Sequence, residues 1–274
     1  MSLLVLDPIL IFGFGSIPAL GMRGAAIATV VAQFSAATVG LIFNLKVNKE
    51  INFRPEILIP KSETMKNIWK VGFPAALQQA ISPMLTVGMN QILLTFTTAA
   101  PAVYVIYIRL QSLILIPVWG LKNTVVSIIS YNFGAKNKER ILKTMKICII
   151  ATICITLAGL CIFQAIPALL LSLFNAQGEV LDIGMTASRI VSISFPFAGI
   201  TLLFGAFFQA LGFSTRTLLT SIVQFCLMLL TEYFLSKQGS VSLVWITFPI
   251  TELIVSLIST AFLRSINKNM IQNI

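Results

Sequence analysis

The sequence predicts an all-α integral membrane protein, a polytopic helical bundle, and three observations carry that prediction. Of its 274 residues 57% are hydrophobic and only 10% charged, where soluble domains carry about 25% charged residues. Apolar runs of about 20 residues recur along the chain, each long enough to cross a hydrocarbon core of roughly 30 Å as a helix. The remaining charges fall between those runs, and the basic ones occupy alternate gaps.

The elements follow in order. The opening stretch, MSLLVLDPILIFGFG, is too short for a full crossing, contains Asp7-Pro8 and lacks the basic start of a signal peptide. A first full span covers roughly 25–45, and a polar linker follows at 46–66. Six further spans run roughly over 68–97, 102–130, 147–172, 184–212, 217–236 and 241–263. In YNFGAKNKER, residues 131–140, Tyr131-Asn132 is expected to close one helix and Gly134 to permit the turn.

The gaps set an expected orientation. The 46–66 linker carries Lys46, Lys49, Arg54, Lys61 and Lys66, and the 131–146 loop carries Lys136, Lys138, Arg140, Lys143 and Lys146. Between them TTAAP is uncharged, and LFNAQGEVLDIG holds Glu179 and Asp182 with no base. The excess of Lys and Arg on the cytoplasmic side of membrane proteins places the linker, the 131–146 loop, Arg216 and the C-terminal tail inside the cell. The expected location is the cell membrane, in contact with lipid along every span.

The same charge pattern argues against nucleic acid. The net charge of +10 is spent on short loops between apolar runs, not on a basic face with interleaved aromatics. There is no histidine, and Cys148, Cys154, Cys161 and Cys226 lie inside apolar runs with no CxxC pair. No Walker loop, GxSxG or metal-ligand spacing occurs, so an enzyme, a resident cofactor and a metal site are not expected.

Polar residues inside the spans are the candidate site, because such groups face a bundle interior or a water-filled cavity. Gln78, Ser82, Thr86 and Asn90 recur every four residues and so share one helix face. That stripe reads either as a cavity lining or as hydrogen-bonding glue between helices. Tyr104, Tyr107 and Gln111 share a face of the next span, beside Arg109, which reads as a substrate contact, an ion-pair partner or a group snorkelling to the outer surface. Lys122 is expected to snorkel to the inner headgroups. Glu252, near the middle of the last span, reads either as a proton or cation site or as a hydrogen-bonded packing residue. Glu232 lies near the outer end of its span.

Several segments resemble one family, the multidrug and toxic compound extrusion (MATE) transporters. LDPILIFGFGSIPALGMRGAAIATVVAQ, residues 6–33, resembles that family's fifth helix, outer turn and sixth helix. GFPAALQQ, 72–79, is similar to the start of the seventh. The segment 108–141 resembles the eighth helix and the loop after it, and SISFPFAGITLLFGAFFQALG, 192–212, resembles the tenth. The resemblance covers nearly the whole chain in order. It implies twelve helices in two six-helix lobes around a cleft, with the 46–66 linker where the lobes join. Residues 1–45 then end the first lobe, 67–264 form the second, and 265–274 are a cytoplasmic tail.

The implied activity is efflux of organic, often cationic, drugs or toxic compounds in exchange for H+ or Na+. Gln78, Ser82, Thr86, Asn90, Tyr104, Tyr107 and Arg109 become the expected cavity contacts, and Glu252 the ion or proton site. Departures leave the coupling ion open. Sodium-coupled branches carry a glutamate in the seventh helix, near Ser82 here, and an aspartate in the tenth, where FPFAGI is apolar. An aspartate of the first helix, used by other branches, has no counterpart in this chain, and Gln209 stands where the family has an arginine. The resemblance also implies a missing N-terminal lobe, so the chain is expected to be a fragment or truncated form of a longer transporter. The alternatives are a lipid-linked oligosaccharide flippase of the same superfamily, which favours a strongly basic cavity, and a membrane fragment that transports nothing.

Overall fold

The computed structural model describes residues 2–13, 18–47 and 61–268, and these contain helices and turns with no strand. Most of the 46–66 linker and the end of the tail lie outside the described residues. The chain divides into two compact units, 1–65 and 66–274.

In the first unit α1 (Ser2–Phe12) packs on α2 (Gly21–Lys46). The Leu20 N–H donates to the Leu10 carbonyl at 3.0 Å. Gly24 is buried at this crossing, and a Cβ there would collide with the Leu10 carbonyl. A backbone atom cannot swing aside, so glycine is what lets the helices touch. Ala28, one turn on, is fully buried, while most other α2 side chains are exposed, as suits a helix facing lipid.

The second unit holds α3 (Ser62–Leu93, beginning just before the boundary), α4 (Ala99–Gly134) and α5 (Lys138–Ala165). The short α6 (Pro167–Ser172), then α7 (Glu179–Ser192) and α8 (Phe195–Ala210), come next. α9 (Ser214–Ser236), α10 (Val241–Trp245) and α11 (Thr247–Ile266) complete it. Helices α2, α4, α5, α9 and the α10–α11 pair are long and apolar enough to cross a membrane, and α7 with α8 would make a sixth span as a bent pair. α3 is 32 residues long, about 48 Å of rise, yet it falls short on apolarity because it carries the polar stripe.

Three expected spans are broken. The 147–172 run ends its first helix at Ala165, and Pro167 opens α6, where its missing N–H costs nothing. The 184–212 run bends by 53° between α7 and α8, with Pro196 in the first turn of α8. The 241–263 run breaks at Ile246.

The 131–140 turn also differs from expectation. α4 continues through Gly134, and Lys136 takes the left-handed conformation at φ 56°. Asn137 then caps α5, its side-chain oxygen accepting from the Arg140 N–H at 3.1 Å. The cap fixes where α5 starts, so the turn falls two residues later than the glycine suggests.

Small residues set the helix spacing. A Cβ on Gly199 of α8 would sit 2.6 Å from Thr156 Cγ2 and 3.0 Å from Thr152 Cγ2 of α5. A Cβ on Gly159 of α5 would run into Ile114 of α4. Two buried clusters result. One gathers Met89, Leu93, Tyr104, Tyr107, Phe195, Trp245 and Phe248. The other gathers Val125, Ile129, Ile141, Leu203, Phe207 and Phe208.

Candidate functional site

α3 is held at its C-terminal end. Met89 and Leu93 are fully buried, and Gly88 admits Leu229 of α9 so closely that a Cβ would lie 2.7 Å from its Cδ2. Toward its N-terminus the helix stands away from the bundle: Ile68, Trp69 and Phe73 are all more than half exposed. Where it diverges from α4, α8, α9 and α11, three adjoining cavities open, of about 570, 290 and 170 Å³. Gln78 of α3 accepts a hydrogen bond of 3.3 Å from Gln209 Nε2 of α8 across this space.

The polar stripe divides along α3. Gln78 and Ser82 line the two larger cavities, and Ser82 and Thr86 the smallest. Asn90 lies a turn beyond, with its Oδ1 buried and unpartnered. Tyr104 and Tyr107 line the smallest cavity but are themselves only 3% and 2% exposed. Tyr107 meets Phe248 edge-on at 5.3 Å between ring centroids and stacks on Phe195 at 6.5 Å. These rings close one end of the cavity. Arg109 is exposed on α4 and lines none of the three cavities.

Glu252 of α11 lines both smaller cavities. Its Oε1 accepts a 2.6 Å hydrogen bond from Gln224 Nε2 of α9, while Oε2 is buried with no partner. An unpartnered buried carboxylate oxygen is costly, and a proton, a monovalent cation or the cationic group of a solute would each relieve it. Among the described residues no three acids, cysteines or histidines come together to hold a metal ion.

Several lining residues escaped sequence reasoning. Thr217, Ser221 and Gln224 of α9 face the cavity beside Gln111, which shares the expected polar face of α4, and Lys122 lines it too. A signal was present in α9: Thr217, Ser221, Gln224, Met228 and Glu232 recur at three- and four-residue steps, which is one helix face. Glu232 is fully buried, and neither of its oxygens has a partner.

The family described as MatE matches residues 74–234, more than half of the chain. The multidrug export protein MepA of Staphylococcus haemolyticus is 27% identical over 243 residues, 88% of this chain and 53% of that protein. MepA of Staphylococcus aureus, bovine strain RF122, is 28% identical over 221 residues, 81% and 48% of the two chains. The chain thus spans about half the length of the curated relatives it matches. Among solved structures, a MOP superfamily transporter from Pyrococcus furiosus, described as having a binding pocket of reverse polarity, superposes with a TM-score of 0.87 at 21% identity. That match covers 98% of this chain and 61% of the other, and it shows the fold. The protein is a multi-pass membrane protein, and it belongs to the MATE family.

Proposed function

We propose that this protein takes part in secondary active efflux of organic, often cationic, compounds, with Glu252 at the end of the cavity that receives them. The observation that carries the reading is a polar cavity ending on an unpartnered carboxylate oxygen inside a membrane bundle. The relatives named as multidrug export proteins support it. Gln78, Ser82, Thr86 and the rings of Tyr104 and Tyr107 would contact the solute, with Asn90 and Arg109 outside that shell. The coupling ion, H+ or Na+, would compete with solute for Glu252, and such an ion biases the two facing states only by its difference in affinity for them. In this reading unit 2 is a six-helix lobe with α3 as its sixth member, the lobe works with a second one across a cleft, and the C-terminus is cytoplasmic.

The flippase reading fares less well, because Lys122 is the base that lines these cavities among the described residues, and a pyrophosphate group asks for several. Whole-cell ethidium efflux tests the proposal, using the chain joined to a first lobe. Glu252→Gln should reduce efflux to the level of cells without the protein. Wild-type efflux by that variant would overturn the role of Glu252. Full efflux by the 274-residue chain alone would overturn the two-lobe reading.

A further inference from the structure

We propose that the cavity selects organic cations bearing N–H bonds (primary ammonium, amidinium or guanidinium groups) over fully alkylated ones, through acceptor oxygens of Gln224 and Glu252. The inference rests on the efflux reading and narrows its substrate class.

Two oxygens face the same space. Gln224 Nε2 of α9 donates to Glu252 Oε1 of α11 at 2.6 Å. A carboxylate only accepts, and only the nitrogen of an amide donates, so this bond fixes which way round the Gln224 amide lies. The amide oxygen accepts no hydrogen bond from any described residue. Glu252 Oε2 is buried without a partner. Both residues line the cavities of about 290 and 170 Å³, and Gln224 also lines the one of about 570 Å³. Ser82 of α3 shares that placement, so Gln224 and Ser82 stand where the three spaces meet.

Size and charge bound what sits there. The cavity of about 170 Å³, lined by Gln224, Glu252, Thr86 and the rings of Tyr104, Tyr107 and Phe248, has room for a nitrogen head group but not for a drug-sized solute. The body of the solute extends into the larger cavities, past Trp119 and Leu202. Lys122 lines those two and not the smallest, so among the described residues no base shares the head-group end.

The aromatic rings attract any cation, a quaternary ammonium included. The oxygens discriminate. An N–H cation gives a hydrogen bond to each of them, and the forked donors of an amidinium or guanidinium suit two neighbouring acceptors. A trimethylammonium group sets methyl carbons against both and leaves them unpaired. A site built to hydrogen-bond its solute rejects an analogue that cannot, because its own buried polar groups then lose their partners.

Equilibrium binding to the 274-residue chain in phosphatidylcholine nanodiscs tests this, with binding to empty nanodiscs subtracted. That lipid's headgroup carries no N–H to compete. The probes are naphthylmethylammonium and its trimethylated derivative, equal in charge and in ring. The wild-type chain should hold the ammonium about tenfold more tightly, with the monomethyl and dimethyl derivatives between. In Gln224→Met one oxygen is gone and the carboxylate is no longer held. The preference should then fall below about threefold, with affinity for the trimethyl probe kept. Should that variant not fold, the graded methyl series on the wild-type chain decides alone. Equal or tighter binding of the trimethyl probe by the wild type, or an undiminished preference in Gln224→Met, overturns the proposal and leaves the efflux reading standing. Binding of neither probe overturns both the preference and the cavity's role as the solute site.

Discussion

The two buried clusters of the second unit are of similar extent but unlike in chemistry. The one around Phe207 and Phe208 consists of aliphatic side chains, phenylalanines and Cys148, with no acid among its members. The one around Tyr107 and Trp245 is built from aromatic rings with polar tips, and buried acids stand on the α9 and α11 faces that bear it. It also holds unsatisfied groups: the Tyr107 hydroxyl, the Trp245 N–H and oxygens of Glu232 and Glu252. The first cluster gives up nothing and holds helices together. The second leaves polar groups unpaired in a bundle that could have buried leucine there, so it is where stability has been exchanged for function.

Substitutions that separate the clusters can be ranked. The largest effect is expected in the apolar cluster, where Phe207→Ala should cost about 3 kcal/mol, through a cavity and lost dispersion contacts, read as unfolding free energy in detergent. An equal loss from Phe248→Ala is compatible with the contrast; a loss under about 1 kcal/mol at Phe207 breaks it. Next comes helix spacing. Gly199→Ala should cost about 2 kcal/mol because two β-branched threonines must give way. Gly88→Ala should cost under about 1 kcal/mol, since only the tip of Leu229 moves. Comparable thermal shifts for the two glycines would remove that distinction. Glu232→Met should raise stability by about 1–2 kcal/mol, since it replaces an unpaired buried carboxylate by hydrocarbon of similar size; a lower melting temperature contradicts that. The smallest change is expected for Tyr107→Phe, within about 0.5 kcal/mol, because the hydroxyl it removes has no partner.

The sequence made much of this legible, for reasons that particular residues show. Spans emerge from hydropathy because lipid demands apolar length, and the four-residue step of Gln78, Ser82 and Thr86 marks one helix face wherever that face points. The breaks at Ile166, Ile193–Ser194 and Ile246 escaped because an apolar count is blind to direction, although Pro167 and Pro196 were on view. The polar faces of α9 and α11 escaped for another reason. They are written largely in serine and threonine, whose hydroxyls bond to carbonyls three or four residues back, as Thr220, Ser221, Ser256 and Thr260 do. Such residues enter lipid-facing and cavity-facing positions alike. Arg109 shows the reverse: its charge drew attention, while its place on the helix turned it away from the cavity. Lys122 and Glu232 were placed by their distance from the span ends, which says nothing about which side of the helix they occupy.

The Gln78–Gln209 hydrogen bond has an electrical consequence. It joins two neutral amides, so breaking the bond itself separates no charge, and voltage acts on that movement only through charges elsewhere on α3 such as Glu63 and Lys66. A unit charge moved across the full field is worth ~2.3 kcal/mol per 100 mV. The clasp itself is therefore indifferent to membrane potential, and any voltage dependence of its opening comes from the charged groups that α3 carries with it.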